Sequence, residues 1–275
     1  MLAHMFVSPH FDDAVGSCGG TIRRLVGIGH TVRILTVFGG AEREPFSMPA
    51  RVLHAEWKLE RPVGHRRLED ASACLVLGCE SSFCEFPDAI YRQAADGRHL
   101  YPTFESLHGP IAAEDSVLAE QLAAQIECYL DKNTVIYCPL AIGTHVDHAV
   151  VRECGNLLTA HGLTVVFYRD FYYDQHWTGE VKDVAMICIN VRLTGEEVGQ
   201  KLTAFSEYKS QIPGLFGTQD SMASYFAAAG RGEAFFLSKP TDQLLLTTLR
   251  STLTRGSTPP AETEVGSVGE QPAKE

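Results

Sequence analysis

Short apolar runs alternate with longer amphipathic stretches along this chain, and the alternation predicts the elements. Met5-Phe6-Val7 is an apolar run of strand length, and Thr21-Ile22-Arg23-Arg24-Leu25-Val26 places apolar residues at helical spacing. The segment Ser8-Pro9-His10-Phe11-Asp12-Asp13, followed by Gly16-Ser17-Cys18-Gly19-Gly20, therefore joins strand to helix. Gly29-His30 ends that helix, and Thr31 to Phe38 alternates as a β-branched strand running into Gly39-Gly40. A β-α-β start of this kind implies a right-handed crossover and a parallel sheet, with Gly39-Gly40 beside the first loop.

Further along, residues 41 to 62 lack a period and predict a loop with a short helix near Leu53 to Trp57. Arg66 to Leu77 is amphipathic with Gly78 as its stop, a helix on which Arg66 and Glu69, three apart, share a face and could pair. Ser82 to Phe86 reads as a strand ending in Pro87-Asp88, and residues 89 to 112 as an aromatic, turn-rich insertion or substrate-facing loop. A helix from Asp115 to Leu130, a strand Thr134 to Cys138, a helix Ala149 to Leu158 and a strand Val165 to Tyr168 follow. Arg169 to Asp174 forms a polar-aromatic loop. The rest predicts strands at Val184 to Val191 and Glu233 to Leu237 and helices at Glu196 to Tyr208 and Met222 to Ala229. All the strands fit one mostly parallel α/β sheet. From residue 255 to 275 the chain is Gly, Ser, Thr, Pro and Glu with almost no bulky apolar side chain, so one domain over 1–254 and a disordered tail is the expected division.

Composition narrows the function classes. A formal net charge of −11 argues against a surface that tracks phosphates, hence against a nucleic-acid partner, and favours a neutral or cationic small substrate. No apolar stretch reaches the roughly 20 residues of a bilayer span, and the N-terminus lacks the pattern of a signal peptide, so a cytoplasmic protein without a membrane partner is expected. The eight cysteines lie mostly in apolar runs with no C-x-x-C pair and read as buried thiols. Oligomeric state is left open, self-association included.

The chemistry sits in two loops. His10, Asp12 and Asp13 follow the first strand, and His145-Val146-Asp147-His148 stands where the fourth strand hands over to a helix. Ligands of open α/β sheets bind beyond the carboxyl ends of strands. One Asp in each loop has an ordinary role as a helix cap, but a cap uses one Asp and leaves the histidines unexplained. His10, Asp13 and His148 together make a two-His, one-carboxylate set, which zinc uses when it keeps a position open. Zinc lowers the pKa of its bound water toward about 7 and polarises a carbonyl, which prepares amide or ester hydrolysis. Asp12 is then placed to act as base, His145 to meet the oxyanion or protonate the leaving nitrogen, and Asp147 to orient a histidine. The other eight histidines lack such company and read as structural or surface residues.

The paired signature His10-Phe11-Asp12-Asp13 and His145-Val146-Asp147-His148 resembles the PIG-L/LmbE-like family of zinc-dependent N-deacetylases. The likeness continues through Arg66-Arg67-Leu68-Glu69-Asp70, Phe86-Pro87-Asp88 and Tyr208-Lys209-Ser210-Gln211. It implies a Rossmann-like three-layer sandwich and removal of an acetyl group from an N-acetylglucosamine-type amino sugar or its conjugate. It also implies Zn2+ on His10, Asp13 and His148, Asp12 as general base, His145 at the intermediate or leaving group, Asp147 as the acid beside that histidine, and Arg66 and Asp88 at the sugar. Phe11 and Ala14 depart from the family's usual Pro and Glu, and Gly143 stands where some members carry a carbonyl-polarising Tyr. Two rivals stand beside this reading: a zinc amidase acting on another N-acyl or thiol conjugate, and a nucleotide-binding module built on Gly16, Gly19 and Gly20 without hydrolysis. The glycine spacing is not G-x-G-x-x-G, which weakens the second. A member that has lost activity and serves as a partner protein is disfavoured by the intact ligand and base positions.

Overall fold

The computed structural model describes residues 2–130, 133–172, 186–228, 232–238 and 243–254. Its strands are β1 (Ala3–Ser8), β2 (Thr31–Thr36), β3 (Glu80–Phe83), β4 (Thr134–Pro139), β5 (Val165–Tyr168), β6 (Met186–Arg192) and β7 (Gly232–Ser238). Its helices are α1 (Asp13–Gly27), α2 (Met48–Trp57), α3 (Pro62–Leu77), α4 (Phe104–Leu107), α5 (Leu118–Glu127), α6 (Val146–Ala160), α7 (Gly195–Phe205), α8 (Ile212–Phe216), α9 (Gln219–Ala228) and α10 (Gln243–Leu253). The strands form one sheet in the order β3-β2-β1-β4-β5-β7-β6. The first five are mutually parallel, and β7 runs antiparallel to both β5 and β6.

This order sets the position of everything that follows. The chain builds outward from β1 to β3, then returns to lay β4 on the other side of β1, with Phe6 opposite Tyr137. The loops leaving β1 and β4 therefore diverge to opposite faces at adjacent strands, which opens a crevice at their carboxyl ends. Alternation along each central strand supplies two cores. Phe6, Ile34, Tyr137 and Val166 face one layer, which includes α1, α3 and α7, while Met5, Leu35, Ile136 and Phe167 face the layer of α5 and α6. The result is a three-layer, mostly parallel α/β sandwich: the pattern predicts the parallel sheet, and the family resemblance implies the sandwich.

Several elements differ from expectation. Helix α1 begins at Asp13 and takes in Gly16, Gly19 and Gly20, although glycine costs about 1 kcal/mol relative to alanine inside a helix. A Cβ on Gly16 would run into the Phe171 ring and one on Gly20 into Leu193, so these glycines let the helix approach its neighbours. The backbone N–H groups of Gly20 and Thr21 already donate to the Glu233 carboxylate at 3.0 and 2.9 Å, and Lys201 pairs with it at 2.8 Å. The protein's own carboxylate thus occupies these two amides. Strand β3 is displaced toward Glu80 by its pairing with β2, which sets Arg33 opposite Glu80. Helix α5 starts late because Asp115 is drawn into a buried contact with Arg92 at 2.7 Å. Finally, α8 and α10 were not expected, although Leu246, Leu249 and Leu253 of α10 are buried at helical spacing.

All eight cysteines are free, with Cys128 and Cys188 exposed rather than buried as expected. The strand expected from Val184 is described from Met186 on, and the expected tail from 255 lies outside the described residues. Among the described residues no helix is long and apolar enough to cross a membrane.

At the opposite end of β1 from the crevice, His4 is buried between the Tyr137 hydroxyl at 3.0 Å and His30 Nδ1 at 2.8 Å. Burial, helped by the charge of His30, lowers its pKa from 6.5 to about 3. The unfolded chain therefore binds a proton near pH 6.5 that the folded chain refuses, and stability falls as pH drops through that window. The shift corresponds to a loss of about 2–3 kcal/mol between pH 7 and pH 4.5. Urea unfolding of His4→Gln at the two pH values should show an acid-induced loss smaller by that amount than in the wild type.

Candidate active site

The loop after β1 is held by its own polar groups. The Ser8 hydroxyl donates to the His10 carbonyl at 2.5 Å and accepts from the Ala14 amide at 2.9 Å, which makes Ser8, not Asp12, the residue that serves the first turn of α1. Asp13 Oδ2 accepts from the His10 amide at 2.8 Å. Neither aspartate is used up as an ordinary cap.

The loop after β4 is tighter. Ala141 and Thr144 have φ of 59° and 62°, and Gly143 has 89°, so three of four consecutive residues are left-handed. This turn delivers His145 as the residue preceding α6 and His148 on the first turn of that helix. Because the Asp147 amide donates to His145 Nδ1 at 3.2 Å, the proton of that neutral imidazole sits on Nε2. Burial, with the charges of His10, His148 and His108, holds His145 well below its ordinary pKa despite Asp147.

The two loops meet at Asp13. Its Oδ2 lies 3.2 Å from His10 Nδ1 and 3.3 Å from His148 Nε2, and the donor atoms of these three residues lie within 4.8 Å of one another. The far nitrogen of each imidazole meets a carboxylate, His10 Nε2 with Asp147 Oδ2 at 3.0 Å and His148 Nδ1 with Asp170 Oδ1 at 2.6 Å. Such partners leave Nδ1 of His10 and Nε2 of His148 as the lone pairs facing the centre. Burial disfavours charge on all three, yet Asp88, Asp13 and Asp147 hold His10 well above its ordinary pKa, and Asp13 with Asp170 raises His148 to about 9. His148 and His10 in turn hold the Asp13 carboxyl well below its ordinary range despite burial. The centre attracts positive charge, and its two nitrogens and one oxygen suit a divalent metal that retains open positions.

A second set of donors, His10, His145 and Asp147, also converges. It suits a cation less well. Asp147 is fully buried, accepts from the Ala89 amide at 3.0 Å, and has Arg92 Nη1 at 2.6 Å from its other oxygen. A guanidinium at that distance opposes a metal ion.

A cleft of about 170 Å³ opens over the cluster, lined by His10, Asp12, Asp13, Arg66, Asp88 and His145 on its polar side and by Leu53, Trp57, Leu107 and Tyr172 among its apolar residues. Arg66, from α3, donates to Asp12 Oδ1 at 3.1 Å and stacks over Trp57 and Phe11. Its partner is thus Asp12 and not Glu69, whose carboxylate takes the amide and hydroxyl of Ser210 at 2.8 and 2.6 Å. Burial raises the pKa of Asp12 despite Arg66. Asp88 accepts from the Ile90 amide at 3.1 Å, keeps its second oxygen 3.7 Å from His10 Nε2, and is likewise raised by burial. Of the residues singled out by sequence, then, all but Asp147 and His148 line the cleft, and those two reach it through Asp13 and His10.

Sequence reasoning passed over three residues. Asp170 follows β5 as Asp12 and Asp13 follow β1, a carboxylate at a parallel strand's end, and that placement was the available signal. Arg92 and Asp115 come from the irregular segment and carry no such signal. His108, which reads from sequence as a structural or surface residue, presents its ring edge-on to His145 at 5.4 Å and donates from Nδ1 to the Gly143 carbonyl at 2.9 Å.

A mostly parallel α/β sheet with a two-His, one-carboxylate cluster at its switch point defines the class, an α/β sandwich with a candidate metal site. Comparison with known proteins makes it particular. The family model PIG-L, described as GlcNAc-PI de-N-acetylase, matches residues 5–159. A 2'-N-acetylparomamine deacetylase of Niallia circulans is 34% identical over 79% of this chain and 83% of its own length. One from Streptomyces fradiae is 30% identical over 62% of this chain and 57% of its own. The solved structure of the zinc-inhibited form of teicoplanin deacetylase Orf2 superposes with a TM-score of 0.75 at 26% identity, covering 87% of this chain and all of that one, 100%. The chain belongs to the PIG-L family and is an N-deacetylase.

Arg92 is buried between Asp147 and Asp115 and lies over the rings of Phe38 and Tyr101. Arg92→Met should destabilise the protein by about 3–5 kcal/mol, the cost of leaving buried carboxylates unpaired. Chemical unfolding at pH 7 measures it, and a variant within 1 kcal/mol of the wild type would contradict the assignment.

Proposed function

We propose that this protein is a zinc-dependent hydrolase that removes the N-acetyl group from an amino sugar, of the kind carried by an aminoglycoside such as N-acetylated paromamine. The observation that carries the reading is the convergence of His10 Nδ1, Asp13 Oδ2 and His148 Nε2 at the floor of the cleft. Those three residues would hold the ion. When bound, zinc supplies Lewis acidity toward the amide carbonyl and makes water acidic enough to attack near neutral pH.

The chain's own groups do the rest. Asp12, raised toward the basic side by burial, accepts the proton of the attacking water, and Arg66 keeps its carboxylate oriented over the centre. His145 donates from Nε2–H to the oxygen that gains negative charge. Because Nδ1 already accepts from a backbone amide, His145 has no second proton to give, which leaves Asp12 to return its proton to the leaving amine. Asp147, anchored by Arg92, fixes the His10 ring. Arg66 and Asp88 are the polar contacts for the sugar, and Trp57 offers it an apolar wall. The substrate class draws support from the 34% identical relative named for 2'-N-acetylparomamine, and from a net charge of −11 that favours a cationic glycoside.

Purified protein should hold about one zinc per chain and release acetate from N-acetylparomamine or from a related N-acetylglucosamine-type compound within a panel that includes longer N-acyl chains and thiol conjugates. Asp12→Ala should keep the zinc while turnover falls by about 10²–10⁴-fold, the range of a general base. His148→Ala should lose both. Release of a larger acid in preference to acetate would overturn the acyl assignment, and zinc lost from Asp12→Ala would overturn the role of Asp12.

A further inference from the structure

We infer that Asp170 is the positioning residue of the metal centre, a carboxylate whose two oxygens hold the His148 imidazole in its Nδ1–H form and at the same time pin the loop that presents His145. The inference rests on the reading of His148 as a ligand.

Topology puts Asp170 there. Strand β5 lies parallel to β4 with Tyr168 opposite Pro139, so the residues just past β5 emerge beside the loop that follows β4. The next residue is fixed in turn, because the Phe171 amide donates to Ser17 Oγ at 2.9 Å and its ring packs against Gly16 of α1. Asp170 is thereby built into the wall. Its side chain and that of His148 are each only 1% exposed.

Its two oxygens serve two different donors. Oδ1 accepts from His148 Nδ1 at 2.6 Å, and Oδ2 accepts from the Ile142 amide at 3.1 Å. Ile142 lies between Ala141 and Gly143, both left-handed, in the turn that delivers His145. A turn with non-glycine residues at positive φ persists only where surrounding contacts hold it. One carboxylate thus ties the orientation of a ligand to the placement of the imidazole that faces the substrate oxygen.

The requirement is for two acceptors, which an isosteric amide cannot meet. An asparagine has one oxygen and one NH2 group. If its NH2 faced the Ile142 amide, two donors would oppose each other in the turn. If its NH2 faced His148, the imidazole would have to move its proton to Nε2, the nitrogen 3.3 Å from Asp13 that the metal needs free of hydrogen. Either arrangement damages the site while conserving shape.

The test compares the wild type with Asp170→Asn and Asp170→Ala. Zinc affinity is read by competition with a chromophoric chelator, and the His148 Nδ1–H resonance by NMR of histidine-labelled protein, both zinc-loaded and metal-free. Both variants should bind zinc about 10–100-fold more weakly, the usual effect of removing a ligand's outer partner. The protected Nδ1–H resonance should be lost from Asp170→Ala and shifted or lost in Asp170→Asn, while chemical unfolding confirms that at least the isosteric variant is folded. Unchanged zinc affinity together with an unchanged Nδ1–H resonance in a folded variant would overturn the inference. A wild type that takes up no zinc would instead sink the metal reading, and the Nδ1–H resonance of the metal-free proteins would still decide what Asp170 does to His148.

Discussion

The structure of the site depends on one shared oxygen. Asp13 Oδ2 takes the His10 amide at 2.8 Å, faces His10 Nδ1 at 3.2 Å and faces His148 Nε2 at 3.3 Å. These contacts join the loop after β1 to the first turn of α6, two segments that the chain separates by more than a hundred residues and the sheet brings back to adjacent strands. Burying a carboxylate is costly unless hydrogen bonds and opposite charge compensate it. Asp13 gathers that compensation from both loops, so it can stay ionised in the interior, and neither loop can move without disturbing it.

The same constraint propagates outward. Asp12, Asp88, Asp147 and Asp170 are all buried around this oxygen, and each is held by a different device. Asp12 has Arg66, Asp88 has the Ile90 amide, Asp147 has Arg92 and the Ala89 amide, and Asp170 has His148 and the Ile142 amide. A cluster of carboxylates this dense without a metal draws protons onto its histidines, which is the direction taken by His10 and His148. A divalent cation held by these residues would replace those protons, so metal binding and proton release would be coupled at this site.

Much of this was legible in the chain and the rest was not, for reasons that differ by residue. The β-α-β start, the parallel sheet and the two His/Asp loops follow from local patterns, because alternation and strand-end placement are properties of a few consecutive residues. The glycines after the first loop mislead in the same local terms. They look like a phosphate-binding turn, and only the arrival of Phe171, Leu193 and Glu233 from distant segments makes them the face of a helix. Arg92 is illegible for a stronger reason. Nothing near it in sequence marks it, and its role exists only once Asp147 and Asp115 have been folded to either side.

His145 shows how a local backbone contact bears on chemistry that composition leaves open. Sequence allows this imidazole two tasks, hydrogen-bond donor to an oxyanion or proton donor to a leaving nitrogen. On the proposed mechanism the Asp147 amide favours the first by occupying Nδ1, since an imidazole that accepts at one nitrogen while neutral carries its only proton on the other. Neighbouring histidines reinforce the choice, because burial and the charges of His10, His148 and His108 together oppose a second proton. An imidazole in that state stabilises negative charge without giving up its hydrogen, so a proton for the leaving amine has to come from a group that has just acquired one. On the proposed mechanism Asp12 would be that group in the cleft, and Arg66 at 3.1 Å would keep its carboxylate oriented for both halves of the reaction.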